Sequence, residues 1–362
     1  MKILHYYAEK NHLTAQQVEI LKKELGGNVT VMTATTPRQA SQALKSDAID
    51  ILHVHGCWRD NIVKVGRMAR RHGTRIVVSP HGELEPWVIR RHYWRSKMPR
   101  IIAYQRQFVK SAYAVIVMGR MECGCMQRLG WNRRIVTVLN SIFTSATTDM
   151  EMARQTMAVY QKVMDTDPYQ LLDENGRMAV ASLIKAGITG DQRWLTPEES
   201  NCCRTLDDLA WRRILVHAYH CGISELISQG AQALFMVPPD IHPERIDCFP
   251  PKKSVEKEES DESPDRPEAW ADYFHHLRKR MRQGRLTILD IVQLSTRLRQ
   301  SYIKEDTLAQ LLEERKLLSF CSAIMQVTVE LTRLEEGFLI VPPRQGRLSR
   351  KIESIVTHQL SL

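Results

Sequence analysis

The sequence predicts an α/β protein, a Rossmann-like parallel sheet wrapped by helices and followed by a mainly α-helical region. Three observations carry this reading. Strand and helix signals alternate from Lys2 to Leu139, the later strands are near-continuous apolar runs, and from about Thr147 onward strand signals almost vanish. Alternating βα units imply parallel strands joined by right-handed crossovers. Apolar runs without alternation mark strands covered on both faces.

Lys2–Tyr7 reads as the first strand, and Thr14-Ala15-Gln16-Gln17 has capping-box spacing. The helix it opens carries Val18, Leu21 and Leu25 on one face and ends at Gly26-Gly27. Val29–Met32 is a strand, Pro37 starts a helix through Leu44, and Ile49–Val54 is the third strand. A basic helix, Ile62–His72, closes at Gly73; the strands Ile76–Ser79, Ala114–Met118 and Ile135–Leu139 follow, with a helix at Met121–Leu129. Pro99 is expected to split Trp87–Tyr104 into two short pieces.

Beyond Thr147, Met152–Met164, Met178–Ala186, Leu206–Ser228 and Trp270–Arg282 show helical spacing. Thr196-Pro197-Glu198-Glu199 combines a cap, Pro at the first helical position and a carboxylate three residues on. Leu234–Val237 and Gly337–Val341 are the strands expected here, and Leu286–Leu298, Leu308–Leu318 and Ile324–Leu334 suggest a small bundle. The organisation expected is an α/β domain over 1–148, a mainly helical domain over 149–249, a charged Pro/Ser/Glu linker over 250–267 and a helical bundle over 268–362.

At 362 residues, with 43% apolar and 25% charged residues, the composition is that of a soluble globular protein with room for two domains. No apolar run reaches the length that spans a bilayer, and the polar start is no secretion signal, so a cytoplasmic protein is expected. Eight cysteines in a chain this long are expected as reduced thiols. The net charge of +10 is concentrated: Arg59–Arg134 holds 17 Lys and Arg against 4 Asp and Glu. Such a field favours nucleotide phosphates or anionic lipid headgroups. Nucleic-acid binding is not expected, since no helix-turn-helix, RNA-binding signature or zinc finger is present.

Two loops leave adjacent strand ends at one edge of the sheet: His53-Val54-His55-Gly56-Cys57-Trp58 and Ser79-Pro80-His81-Gly82-Glu83-Leu84-Glu85-Pro86-Trp87. In each, a His precedes a Gly where the chain turns, and Gly lets a ligand approach the backbone. Trp58 and Trp87 would offer faces to sugar rings, while His and Glu would bind hydroxyls. For His53 and His55, packing and ligand contact both stay open. Glu83 and Glu85 would serve as acid/base groups or as loop anchors. Lys185 to Trp194 is not a Walker loop and reads as a helix cap and turn, though its Lys185 and Arg193 are phosphate candidates. No metal is expected: His217, His220 and Cys221 on one helix with Cys202 and Cys203 nearby offer donors, but zinc needs about four converging ligands and nothing shows convergence. Trp87–Tyr104 interleaves aromatics with Arg90, Arg91, Arg95, Lys97 and Arg100, as segments on anionic membranes do.

His55-Gly56-Cys57-Trp58, the Ser79–Trp87 string, Lys97, Glu122 and Val138-Leu139-Asn140-Ser141, in this order, resemble the amino-terminal domain of family-4 retaining glycosyltransferases of the GT-B fold. The members most similar in these motifs build bacterial surface polysaccharides. The likeness runs from Met1 to about Thr148. It implies a metal-independent hexosyltransferase that takes a nucleotide-diphosphate sugar as donor, needs no cofactor and uses a glycan or lipid-linked glycan as acceptor. It further implies a peripheral place at the inner face of the plasma membrane. His81 would lie at the transferred sugar as the catalytic residue, with His55, Gly56, Trp58, Gly82, Glu83, Glu85, Trp87, Lys97 and Asn140 binding substrate. Arg90, Lys185 and Arg193 would meet the phosphates. The chain departs from the family pattern in its second half. Glu305 and Glu313 have the Glu-x7-Glu separation without its loop, and Glu336-Gly337-Phe338 begins such a loop but is followed by Arg344. The alternative is a catalytically inactive glycan- or nucleotide-binding scaffold in a polysaccharide-assembly complex.

Overall fold

In the computed structural model, six strands form one all-parallel sheet: Lys2–Tyr6 (β1), Thr30–Ala34 (β2), Ile51–His55 (β3), Arg75–Ser79 (β4), Ala114–Val117 (β5) and Ile135–Thr137 (β6), in the order β2-β1-β3-β4-β5-β6. The structure describes residues 1–7, 12–27, 29–249, 266–300 and 305–357. The expected linker over 250–267 therefore lies, up to residue 265, outside the described residues. The chain divides into two compact units, Met1–Met164 and Asp165–Leu362.

The first unit is the α/β part. Helices His12–Glu24, Pro37–Ser46, Asp60–Arg71 and Arg120–Leu129 alternate with the strands. Every residue of β3, β4 and β5 is buried, which is why their sequences show apolar runs rather than alternation. Helix Pro37–Ser46 starts with Pro at its first position and a capping box between Thr36 and Gln39. Between β4 and β5 the chain does not break at Pro99. It is helical from Tyr93 to Ser111, with wide π turns at Tyr93–Lys97 and Ile101–Gln105. The wide turn before Met98–Arg100 places Pro99 at a new helix start, where its missing N–H costs no bond.

The second unit is helical: Glu174–Thr189, Pro197–Arg204, Asp208–Cys221, Ser224–Ala233, Pro267–Gln283, Ile288–Gln300, Glu305–Glu314, Leu318–Thr332 and Arg347–Thr357. Its core includes Trp270, Phe274, Ile324 and Ile352. The capping box at Thr196 and Glu199 is present. The run expected as one helix over Leu206–Ser228 is two, because Gly222 adopts φ 70° and turns the chain. The strands expected at Leu234–Val237 and Gly337–Val341 are not formed. The first becomes a turn with Phe235 at φ 55°, the second a 3-10 turn at Glu336–Phe338 followed by irregular chain. Apolar runs this short do not distinguish a strand from a loop that packs on helices.

Candidate active site at the carboxyl edge of the sheet

The sheet reverses its order between β1 and β3, which therefore form the topological switch point where ligands bind beyond the strand ends in open parallel sheets. Three histidines stand on those two strands. His5 of β1 is the register partner of His53 of β3, and His55 is the partner of Ser79 at the end of β4. His53 and His55 are two residues apart on one strand, so their side chains share a face.

On that face the rings form a connected series. His5 Nδ1 lies 2.9 Å from His55 Nε2, and His55 Nδ1 lies 2.9 Å from His81 Nε2. The His55 and His81 rings are inclined by only 12°. His81 Nδ1 faces Met118 Sδ at 3.5 Å. At the other end Tyr160, from helix Asp149–Asp165, sits 2.6 Å from His53 Nδ1 and 3.5 Å from His5 Nε2, and His53 Nε2 meets Ser79 Oγ at 2.7 Å. His5, His53 and His55 are buried, while His81 keeps part of its surface open. Burial penalises the charged imidazolium, pushing His5 down to about 3 and His81 down to about 4 and holding His53 and His55 well below the usual range. All four are neutral at pH 7.

The loops beyond these strands are held in strained backbone. Trp58 has φ 65° and His81 φ 51°, the left-handed region that non-glycine residues rarely adopt, each next to or near a glycine of positive φ, Gly56 at 89° and Gly82 at 77°. Such conformations cost about 1–3 kcal/mol each and persist where surrounding contacts enforce them. Those contacts come from two carboxylates, the half-buried Glu83 and the buried Glu122. Glu83 accepts the Cys57 N–H at 2.5 Å, and its backbone oxygen accepts Trp58 Nε1–H at 2.8 Å. Glu122 accepts both Gly82 N–H (2.6 Å) and Met118 N–H (2.8 Å), tying the His81 turn to the end of β5. Desolvation raises the pKa of Glu83 and Glu122 against these hydrogen bonds. Gln105, wholly buried, accepts the Trp58 N–H, and Lys97 Nζ lies 4.1 Å over the Trp58 ring.

His55, Gly56, Trp58, His81, Gly82, Glu83 and Lys97 are thus brought together at one edge of the sheet. His55 is a link between His5 and His81, with both ring nitrogens used inside the protein. Trp58 is buried beneath Lys97 rather than presenting an open face, and Glu83 braces the loop. Glu85 lies beside Gly82, its pKa raised first by burial and then by Glu122. Asn140 is buried; its side-chain oxygen accepts Ile142 N–H at 3.0 Å, and its Nδ2 points to Met118 Sδ at 3.9 Å. Trp87 is 54% exposed, and Arg90 is exposed beside it.

The two phosphate candidates in the second unit are engaged elsewhere. Lys185 is buried between Glu199 (3.6 Å) and Glu335 (3.0 Å), so its charge is already neutralised, and Arg193 pairs with Asp191 at 2.6 Å on the surface.

Sequence reasoning missed His5, Tyr160, Ser79 and Gln105. His5 left a faint signal, a polar residue inside a buried strand. Tyr160 left none, for a Tyr at helical apolar spacing reads as core. Among the described residues one donor set could hold a metal ion: ring nitrogens of His5, His53 and His55, mutually within 4.8 Å. Those nitrogens are committed to the hydrogen bonds above. His217 and Cys221 touch at 3.6 Å, but among the described residues no donor set forms around them.

Residues 5–141, less than half of the chain, match the family model described as "Glycosyl transferase 4-like domain". No curated protein and no solved structure matches the chain. The match runs from His5 in β1 to just beyond β6 and contains His5, His53, His55, His81 and both carboxylate-braced loops, so the candidate site lies wholly within the part of the chain that is similar to a glycosyl transferase 4-like domain.

Proposed function

We propose that the protein transfers a hexose from a nucleotide-diphosphate sugar to a glycan or lipid-linked glycan during surface polysaccharide assembly, with His81 at the transferred sugar. The observation that carries this reading is the strained turn beyond β4, next to the switch point, where a neutral, partly open His81 is fixed in place by Glu122 and His55. A neutral ring can offer or accept a hydrogen bond at Nδ1 without bringing a charge to the reacting centre. Catalysis would rest on holding donor and acceptor in contact and on stabilising the departing diphosphate. The basic groups suited to the diphosphate are Lys97 and Arg90, without a metal.

The exposed side chains of Trp87, Trp94 and Ile102, with Arg90, Arg91, Arg95 and Arg100 among them, suit a peripheral site on the inner face of an anionic membrane, where a lipid-linked acceptor would be met. Among the described residues no helix is long and apolar enough to cross a membrane.

The test is a calorimetric titration of the full chain with UDP-, GDP- and ADP-sugars, alongside an assay of released nucleotide. Saturable binding with slow hydrolysis is expected, the turnover falling about 100-fold or more in His81→Ala if the ring acts at the reacting centre. A well-folded sample that binds none of the three would remove the transferase reading.

A second reading, an inactive binding or scaffold protein, draws on one observation. The second unit has no strand among its described residues, and its Lys185 is occupied by two carboxylates. On that reading the first unit would bind a glycan or nucleotide without turnover.

A further inference from the structure

We propose that Ser79, His53, Tyr160, His5, His55 and His81 form a single hydrogen-bond chain of uniform polarity, which decides which nitrogen of His81 carries its proton. Its bearing on catalysis rests on the function proposed above; its existence does not. His53, Tyr160, His5 and His55 are then positioning residues for His81.

The argument is one of counting donors. A neutral imidazole has one N–H and one bare nitrogen, so each ring in a chain must donate on one side and accept on the other. Tyr160 joins His53 Nδ1 to His5 Nε2, His5 Nδ1 joins His55 Nε2, and His55 Nδ1 joins His81 Nε2. Each link after Tyr160 therefore runs from a δ nitrogen to an ε nitrogen. Followed from Ser79 Oγ through His53 Nε2, the whole series allows only two arrangements. In one, all four rings carry the proton on Nδ1; in the other, all four carry it on Nε2. A mixed set would oppose two donors or two bare nitrogens at a ring–ring link, or leave the Tyr160 hydroxyl proton without its ring acceptor between two N–H donors, which costs the desolvation of unpaired groups.

The chain ends choose between the two. With every proton on Nδ1, Ser79 donates to His53, and His81 Nδ1–H points at Met118 Sδ, a weak acceptor 3.5 Å away. With every proton on Nε2, the Ser79 hydroxyl proton finds no acceptor within the chain and His81 Nδ1 faces the sulfur as a second acceptor. The Nδ1 arrangement is therefore the resting one, and His81 then presents a donor at Nδ1. A ligand hydroxyl that donates to His81 Nδ1 favours the opposite arrangement in all four rings at once. Neutrality of the rings is a precondition that their burial meets.

The test is a two-bond ¹H–¹⁵N correlation spectrum of the full chain labelled at its 13 histidines, at neutral pH, with assignments from single substitutions. His5, His53, His55 and His81 are expected to show the same tautomer, protonated on Nδ1. Met118→Leu removes the sulfur, which among the four rings touches His81 alone. It is expected to move all four rings toward Nε2–H by the same fraction. Tyr160→Phe, combined with it, is expected to stop that shift at His5 and leave His53 unmoved. Two tautomers among the four rings of the unaltered protein, or a Met118→Leu shift confined to His81, would overturn the proposal. Should Tyr160→Phe fail to fold, the Met118→Leu comparison alone decides. Addition of UDP-, GDP- and ADP-glucose separates this proposal from the functional one: matched tautomers in a protein that binds no UDP-, GDP- or ADP-sugar leave the chain standing and remove the transferase reading.

Discussion

Four imidazoles at the switch point are neutral because a charged ring would lose its hydration there, and this ties the stability of the first unit to pH. His5 is held near 3 and His81 near 4, while an unfolded histidine titrates near 6.5. Below about pH 6.5 the unfolded chain takes up protons that the folded rings refuse, so stability is intact above that value and falls as pH drops toward 4. Each buried ring contributes a slope of up to ~1.4 kcal/mol per pH unit in that window. Amide hydrogen exchange in β1 and β3 should therefore speed up between pH 6.5 and 5 at constant chemical exchange rate. His55→Gln, which removes one titrating ring, should flatten that dependence, and an unchanged slope would mean that His55 takes up its proton as readily in the folded as in the unfolded state. Of this cluster, His81 and His55 were legible in the sequence because strand-end motifs carry them. His5 and Tyr160 were not: the bonds joining them to His55 and His53 span 50 and 107 residues and leave no local pattern.

The elements show where small residues and buried charges matter most. Gly66, in helix Asp60–Arg71, packs so closely on Phe108 that an added Cβ would lie 2.5 Å from its ring. The ring cannot retreat, being buried in the core beneath the sheet. Gly66→Ala should destabilise the first unit by about 1–3 kcal/mol by overpacking, read as a lower urea midpoint. In the second unit, Glu199 closes the capping box of helix Pro197–Arg204 and also pairs with Lys185 and Arg333, while Glu335 pairs with Lys185 and Arg299. Lys185→Ala would leave two carboxylates short of charge and should cost about 3–5 kcal/mol, whereas Arg193→Ala on the surface should stay within ~0.5 kcal/mol. A small effect at Lys185 would mean that its ammonium is not committed to these partners. The strands of the first unit were readable because fully buried parallel strands leave unbroken apolar runs. The two strands expected in the second unit failed for different reasons: Gly337–Val341 owes its apolar character to packing on helices, while in Leu234–Val237 Leu234 is buried and Phe235 and Val237 are exposed, so no strand face is covered.

At the scale of the molecule, charge is partitioned as the sequence implied. The basic stretch from Arg59 to Arg134 lies entirely in the first unit, and its segment 90–102 carries Trp94 at 76% and Ile102 at 75% exposure. Co-sedimentation with phosphatidylserine vesicles should therefore exceed that with neutral vesicles. At ~1 kcal/mol for each basic residue near the surface, the Arg91→Glu/Arg95→Glu double variant should bind at least tenfold more weakly. Raising the ionic strength to about 1 M, where screening acts within ~3 Å, should release the wild type. Equal binding to both kinds of vesicle would exclude an electrostatic role for this segment.

The register of β3 has a consequence for how this protein can vary by insertion and deletion. His53 and His55 project to one face only because a single residue lies between them, and their partners across the sheet, His5 and Ser79, are set by the same register. Gaining or losing one residue within β3 would send at least one of the two rings to the opposite face and break the series at Tyr160 or at His81. Length changes should be absorbed in the turn at Leu25–Gly27 or beyond Gly73, where nothing in the chain of rings depends on count. A deletion scan would find β3 intolerant at every position, while substitutions along it vary in severity.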